Sequence, residues 1–173
     1  MIRPVLGGLL ASVFCTFFQP GPALADEDNA DTLIYLNGRF GFKVMMPGDY
    51  VISPPPGNND GRTFKGYDGK VELLAYASRL NEDFASARTD TLAFLKKNGA
   101  QITYEDKGAT WFVVSGYDSK GSIFYERVIK TEDCFGEAIA ATVSITYPPD
   151  TREQVEPYLS FIAQSLKGCD TLD

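Results

Sequence analysis

Histidine is missing from all 173 residues. The commonest general base and the commonest transition-metal ligand go with it, so serine–histidine and cysteine–histidine nucleophilic sites are excluded. Positive charge is also in short supply. The chain has 16 Lys and Arg against 23 Asp and Glu, a net charge of −7, and its basic residues are spread without a cluster. Such a surface repels a phosphate backbone and argues against nucleic acid as a partner. Cysteine is sparse, with three residues in the chain. No apolar run is long enough for an ordinary transmembrane helix, which needs about 20 residues. Repeats and low-complexity tracts are absent too. What remains is an ordinary globular composition, 44% hydrophobic and 23% charged, over a length that suits one domain.

The amino terminus reads as a targeting segment. Arg3 supplies a positive start, residues 5–18 form an apolar run of 14, and Pro20 and Pro22 break it. Ala23-Leu24-Ala25 is a small-residue cleavage signal. Residues 1–25 are therefore expected to be a signal peptide, which places the protein in the periplasm or outside the cell. Intact mass of the exported protein should begin at Asp26; a mass retaining the first 25 residues would overturn the expectation. Residues 26–31, D-E-D-N-A-D, have nothing apolar to anchor them and read as a flexible acidic leader before a single domain at 32–173. Cleavage removes Cys15 and leaves Cys134 and Cys169. In an oxidising compartment such a pair predicts a disulfide. Cys134 precedes the last predicted strand and Cys169 follows the last predicted helix, so an antiparallel return of that helix brings them together.

Residues 110–130 form the most strongly patterned stretch. Trp111, Phe112, Val113, Val114 and Tyr117 precede the polar turn Asp118-Ser119-Lys120-Gly121, and Ile123, Phe124, Tyr125, Val128 and Ile129 follow it. Aromatic and β-branched residues on both parities predict a hairpin covered on both faces, at the centre of a sheet. Asn37-Gly38 and Asp68-Gly69 mark two further hairpins. A helix is expected over residues 81–98, capped by Asn81, with Phe84, Ala87, Thr91, Leu92 and Leu95 as its buried stripe and Gly99 beyond its end. Residues 137–147 predict a strand whose small side chains, Ala138 to Thr146 on one parity, leave room for a close helix. Residues 150–166 predict a last helix with a capping box of Asp150 and Glu153, a stripe of Val155, Tyr158, Leu159, Ile162 and Leu166, and at Pro157 either a kink or a first turn that ends before it.

Residues 53–62, S-P-P-P-G-N-N-D-G-R, contain no aliphatic or aromatic side chain apart from proline. Pro54, Pro55 and Pro56 favour a stiff polyproline II segment, and Asn58, Asn59 and Asp60 follow in what reads as a flexible polar tip. These six residues are the candidate binding site, since function is often displayed on loops held by a scaffold. Asn58, Asn59 and Asp60 lack the spacing of a calcium loop, and no metal or cofactor is expected. A carboxylate hydrolase remains an alternative, with Glu72, Glu126, Asp68 and Asp118 as candidate acids; a strand glutamate is expected at the rim or in solvent. Tyr35, Tyr50, Tyr67, Tyr104, Tyr117 and Tyr147 are more tyrosines than a core needs, which favours a surface for another protein.

Three stretches carry a resemblance: Phe40-Gly41-Phe42 leading into Met46-Pro47; Gly61-Arg62-Thr63-Phe64 leading into Tyr67-Asp68-Gly69-Lys70; and residues 111–117 leading into Phe124-Tyr125-Glu126. The chain resembles small exported bacterial proteins similar to the PsbP/Mog-like fold. The resemblance implies an α+β domain in which an antiparallel sheet is sandwiched by two main helices. PsbP is a photosystem II subunit and Mog binds the small GTPase Ran, so it also implies a partner-binding module, here with an envelope protein as partner. It supplies no catalytic residues. An envelope structural or stress component without a dedicated ligand is the further alternative.

Overall fold

The computed structural model describes residues 32–169. The predicted signal peptide and the acidic leader lie outside the described residues. Nine strands and two helices follow in order: β1 Thr32–Leu36, β2 Lys43–Pro47, β3 Val51–Ile52, β4 Gly61–Gly66, β5 Val71–Arg79, α1 Phe84–Lys97, β6 Gln101–Lys107, β7 Trp111–Tyr117, β8 Ile123–Glu132, β9 Ala138–Tyr147 and α2 Arg152–Ser165. β1 and β2 pair as a separate antiparallel ribbon, and the other seven strands form one antiparallel sheet in the order β3-β4-β5-β9-β8-β7-β6.

The residue 110–130 hairpin is β7–β8, but it does not hold the centre. β9 does, paired along its length with β5 and β8. The reason lies in the chain: β9 is apolar on one parity and small on the other, so it tolerates neighbours and cover on every side. The main core lies on one face of the sheet. Phe64, Leu73, Val143 and Ile145 there meet Tyr35, Phe42, Val44 and Met46 of the ribbon and Val155, Ile162 and Leu166 of α2. Ser165 fastens α2 to the ribbon, donating to Met45 O and accepting from Met45 N at 2.8 Å. The opposite face has a smaller core of Phe112, Val128 and Ala140 against Leu80 and Phe84.

Several local expectations are corrected. Asp83, not Asn81, caps α1, accepting from Ser86 N at 2.8 Å. Its expected stripe is only half-buried, because α1 rests on a patch of the sheet and leaves a cleft over the small residues of β9. No capping box forms on α2: the chain enters through a 3-10 turn, Pro149–Thr151, and Thr151 precedes the helix without a side-chain cap. α2 runs on through Pro157, which sits on the exposed face. Tyr158 is exposed, and Ala163 and Ser165 take buried places instead.

The disulfide between Cys134 and Cys169 is present. Gly41 lies against it with φ of 70°, a conformation that suits glycine, and a Cβ there would run into the Cys134 sulfur.

Candidate functional site

Pro54, Pro55 and Pro56 form one wall of a groove of about 440 Å³. Its floor comes from Gly61 and Thr63 on β4 and Leu74 and Tyr76 on β5, with Asp60 and Arg62 at its side. Pleat alternation explains the floor: Leu73, Ala75 and Ala77 point into the main core, so Leu74 and Tyr76 face the other way. Leu74 keeps 37% of its surface exposed there. A second cleft of about 330 Å³ lies beside the first, between Val128, Ala140 and Thr142 of the sheet and Ala87, Asp90 and Thr91 of α1. Tyr76 lines both.

The polar part of the loop is anchored, not a flexible tip. Asn37 is buried. Its Oδ1 accepts from Arg39 N at 3.0 Å and Phe40 N at 2.8 Å, and its Nδ2 donates to Tyr35 Oη at 2.9 Å and Asn59 O at 3.2 Å. Arg39 Nη1 donates to Asn58 O at 2.9 Å. Ala77 N donates to Asp60 O at 3.0 Å, and Asn58 Nδ2 to Asp60 Oδ2 at 2.7 Å. So Pro54, Pro55, Pro56 and Asp60 reach the groove, whereas Asn58 and Asn59 stand behind it and hold it in place. Asn37→Ala removes one group that organises the first hairpin and the loop together. A loss of about 2–3 kcal/mol in denaturant unfolding is expected, from buried amides and a hydroxyl left without their partner; a loss below about 0.5 kcal/mol would show that the loop does not depend on it.

The candidate acids do not converge. Asp118 Oδ1 accepts from Lys120 N and Ser122 N of its own turn. Asp68 and Glu72 are exposed. Glu126 is buried, against the expectation for a strand glutamate, because it lies between Val114 and Ser144 in the interior of the seven-stranded sheet. Burial pushes its carboxyl up to about 7 from an ordinary 4.5, against a hydrogen bond with Ser144 that favours the ion. Tyr76 is raised by burial and then by the Glu126 charge. Of the predicted tyrosine surface, Tyr35, Tyr50 and Tyr147 belong to the main core, Tyr67 and Tyr117 are half-buried, and Tyr104 is exposed. The residues that reasoning on the sequence passed over are Asn37, Leu74 and Tyr76. Leu74 and Tyr76 share a parity with Glu72, the one signal that this side of β5 could meet solvent. Among the described residues, no group of three or more Cys, Asp and Glu is placed to hold a metal ion, and no helix is long and apolar enough to cross a membrane.

An antiparallel sheet with a helix on each face defines the class, α+β and PsbP/Mog-like. Among solved structures, CyanoP, the cyanobacterial PsbP of Synechocystis sp. PCC 6803, matches with a TM-score of 0.61 at 13% identity, over 87% of this chain and 99% of that one. LpqN of Mycobacterium tuberculosis, described as involved in cell envelope biogenesis, matches with 0.55 at 13% identity, over 79% of this chain and 89% of that one. The Saccharomyces cerevisiae Ran-binding protein Mog1p matches with 0.50 at 10% identity, over 82% and 97%. No protein-family model and no curated protein sequence matches. Likeness at these identities carries the fold, and the site rests on this chain's own residues.

Proposed function

We propose that this chain is an exported, non-enzymatic accessory module of the cell envelope that holds an extended segment of an envelope protein in the proline-walled groove. The observation that carries the reading is the anchoring of the groove's loop. Asn37, Arg39 and Ala77 fix the loop from behind, and three prolines stiffen the wall in front, so little conformational entropy is left to lose on binding. Leu74 and Tyr76 offer an apolar floor with a hydroxyl, the surface chemistry typical of protein anchors. The disulfide suits an oxidising compartment, and one structural neighbour is described as involved in cell envelope biogenesis.

The test is a photo-crosslinking amino acid placed at Leu74 in cells, with Tyr104 on the far edge strand β6 as the control position. The expected result is one discrete adduct from position 74, absent from 104, and lost when Pro54, Pro55 and Pro56 are all replaced by glycine. Equal labelling from both positions, or an adduct indifferent to the prolines, would falsify the assignment of this groove.

A further inference from the structure

We propose that a second site, on the opposite face of the sheet, binds a small dianion of the phosphomonoester class. A cavity of about 290 Å³ lies where the segment after α2, Leu166 to Gly168, crosses the end of the β7–β8 hairpin. Arg127 and Trp111 line it from the sheet, and Lys167 from the crossing segment. Arg127 stacks its guanidinium over the Trp111 ring, 5.0 Å from the ring centre. Among the described residues, ion pairs engage Lys70, Arg79, Arg88 and Arg152, and neither Arg127 nor Lys167 is in one.

Two observations bear on what this cavity can hold. Arg127 Nε is buried and has no hydrogen-bond acceptor. That nitrogen is closed off from the cavity, so the Nη end of the guanidinium, held in place by stacking on Trp111, is the part that meets a bound oxyanion. No carboxylate lines the cavity, although acids outnumber bases over the whole chain. Asp106, which follows Arg127 across the sheet through Val113, is exposed, and its Oδ1 accepts from Lys107 N at 2.8 Å.

The ligand class follows from the lining. A guanidinium presents a planar fork to two oxygens of one anion, and an ammonium adds a point charge, a combination that suits a doubly charged oxyanion. The cavity equals roughly ten water volumes, room for a phosphoryl group with a short organic tail. The net charge of −7 over the whole chain disfavours large polyanions, which leaves small molecules or a single headgroup.

Trp111 is the only tryptophan, so its emission reports directly on this cavity. The purified protein is titrated with glycerol 3-phosphate against sodium chloride at matched ionic strength. The expected result is a saturable change in Trp111 emission with glycerol 3-phosphate alone. Arg127→Gln should weaken binding about tenfold or more, and Arg127→Lys should restore part of it. Lys167→Gln, on an exposed side chain, gives an independent test should Arg127→Gln fail to fold; a loss of several-fold is expected. A parallel arm sediments the protein with phosphatidic acid vesicles. Binding to vesicles without a soluble response, and dependent on Arg127 or Lys167, assigns the ligand to a lipid headgroup; a soluble response assigns it to a free phosphate ester. The proposal is overturned by no saturable change up to roughly ten millimolar ester together with vesicle binding that is absent or indifferent to both variants.

Discussion

Replacing Cys134 and Cys169 together by serine is expected to lower stability by about 4 kcal/mol, or about 10–15 °C in Tm for a domain of this size. The bridge spans a sequence separation of 35 residues. That loop contains β9, the middle strand of the large sheet, and α2, which closes the main core. In the unfolded chain the cross-link therefore restricts both elements at once. The native side is fitted around the bridge, since Gly41 leaves no room for even a Cβ beside it. Guanidinium unfolding of the double variant against the oxidised protein measures the effect. An unchanged midpoint would mean that the unfolded chain already holds these ends together.

Glu126→Gln is expected to stabilise the protein by about 3 kcal/mol at pH 8 and to change little at pH 4. The sign follows from the direction of the shift. Burial raises the folded carboxyl to about 7 from an ordinary 4.5, so the native state binds the proton more tightly than the unfolded chain. Its stabilising contribution is complete below about pH 4.5 and is lost as pH rises through about 7. Glutamine keeps the shape and a hydrogen bond with Ser144 but cannot ionise. Asp133 works in the opposite direction and in another window. Burial opposes its ionisation, but the backbone N–H groups of Glu137 and Phe135 and the Arg79 guanidinium at 2.6 Å outweigh it and hold the carboxyl below its ordinary 3.8. Its contribution is present above about pH 3.8 and is lost as pH falls through its depressed value. Thermal melts from pH 3 to 9 should give the wild type a stability falling from pH 4.5 to 7, and the Glu126→Gln variant a flat profile there. Parallel profiles for the two proteins would show that water reaches Glu126.

The proline groove was half legible. Pro54, Pro55 and Pro56 announce stiffness wherever they stand, because the ring fixes φ without help from neighbours. That Asn37, residues away and itself read as a turn signal, would hold the loop through the Asn59 carbonyl depends on how the first ribbon lies against the sheet. Leu74 shows the same limit: an alternating strand has two faces, and only the layers around it decide which one stays open. Glu126 looked like a rim residue because glutamates rarely lie inside. It is buried among side chains of the adjoining strands, beside Val114 of β7 and Ser144 of β9, which β8 read alone does not show.

By itself the sequence determined what is set within a few residues. The hairpins at Asn37-Gly38, Asp68-Gly69 and 118–121 follow from turn residues, the end of α1 from Lys96, Lys97 and Gly99, and the absence of histidine chemistry from composition. The Cys134–Cys169 pairing was also readable, since once cleavage is assumed only two cysteines remain. Tertiary structure alone decided the strand order, with β9 and not the β7–β8 hairpin at the centre, the thin cover of α1, the ionisation of Glu126, and the meeting of Arg127, Trp111 and Lys167 at one cavity. The physical reason is range. Turns and caps are fixed by local backbone preference, whereas burial and unsatisfied charge arise only when segments tens of residues apart exclude water from one another.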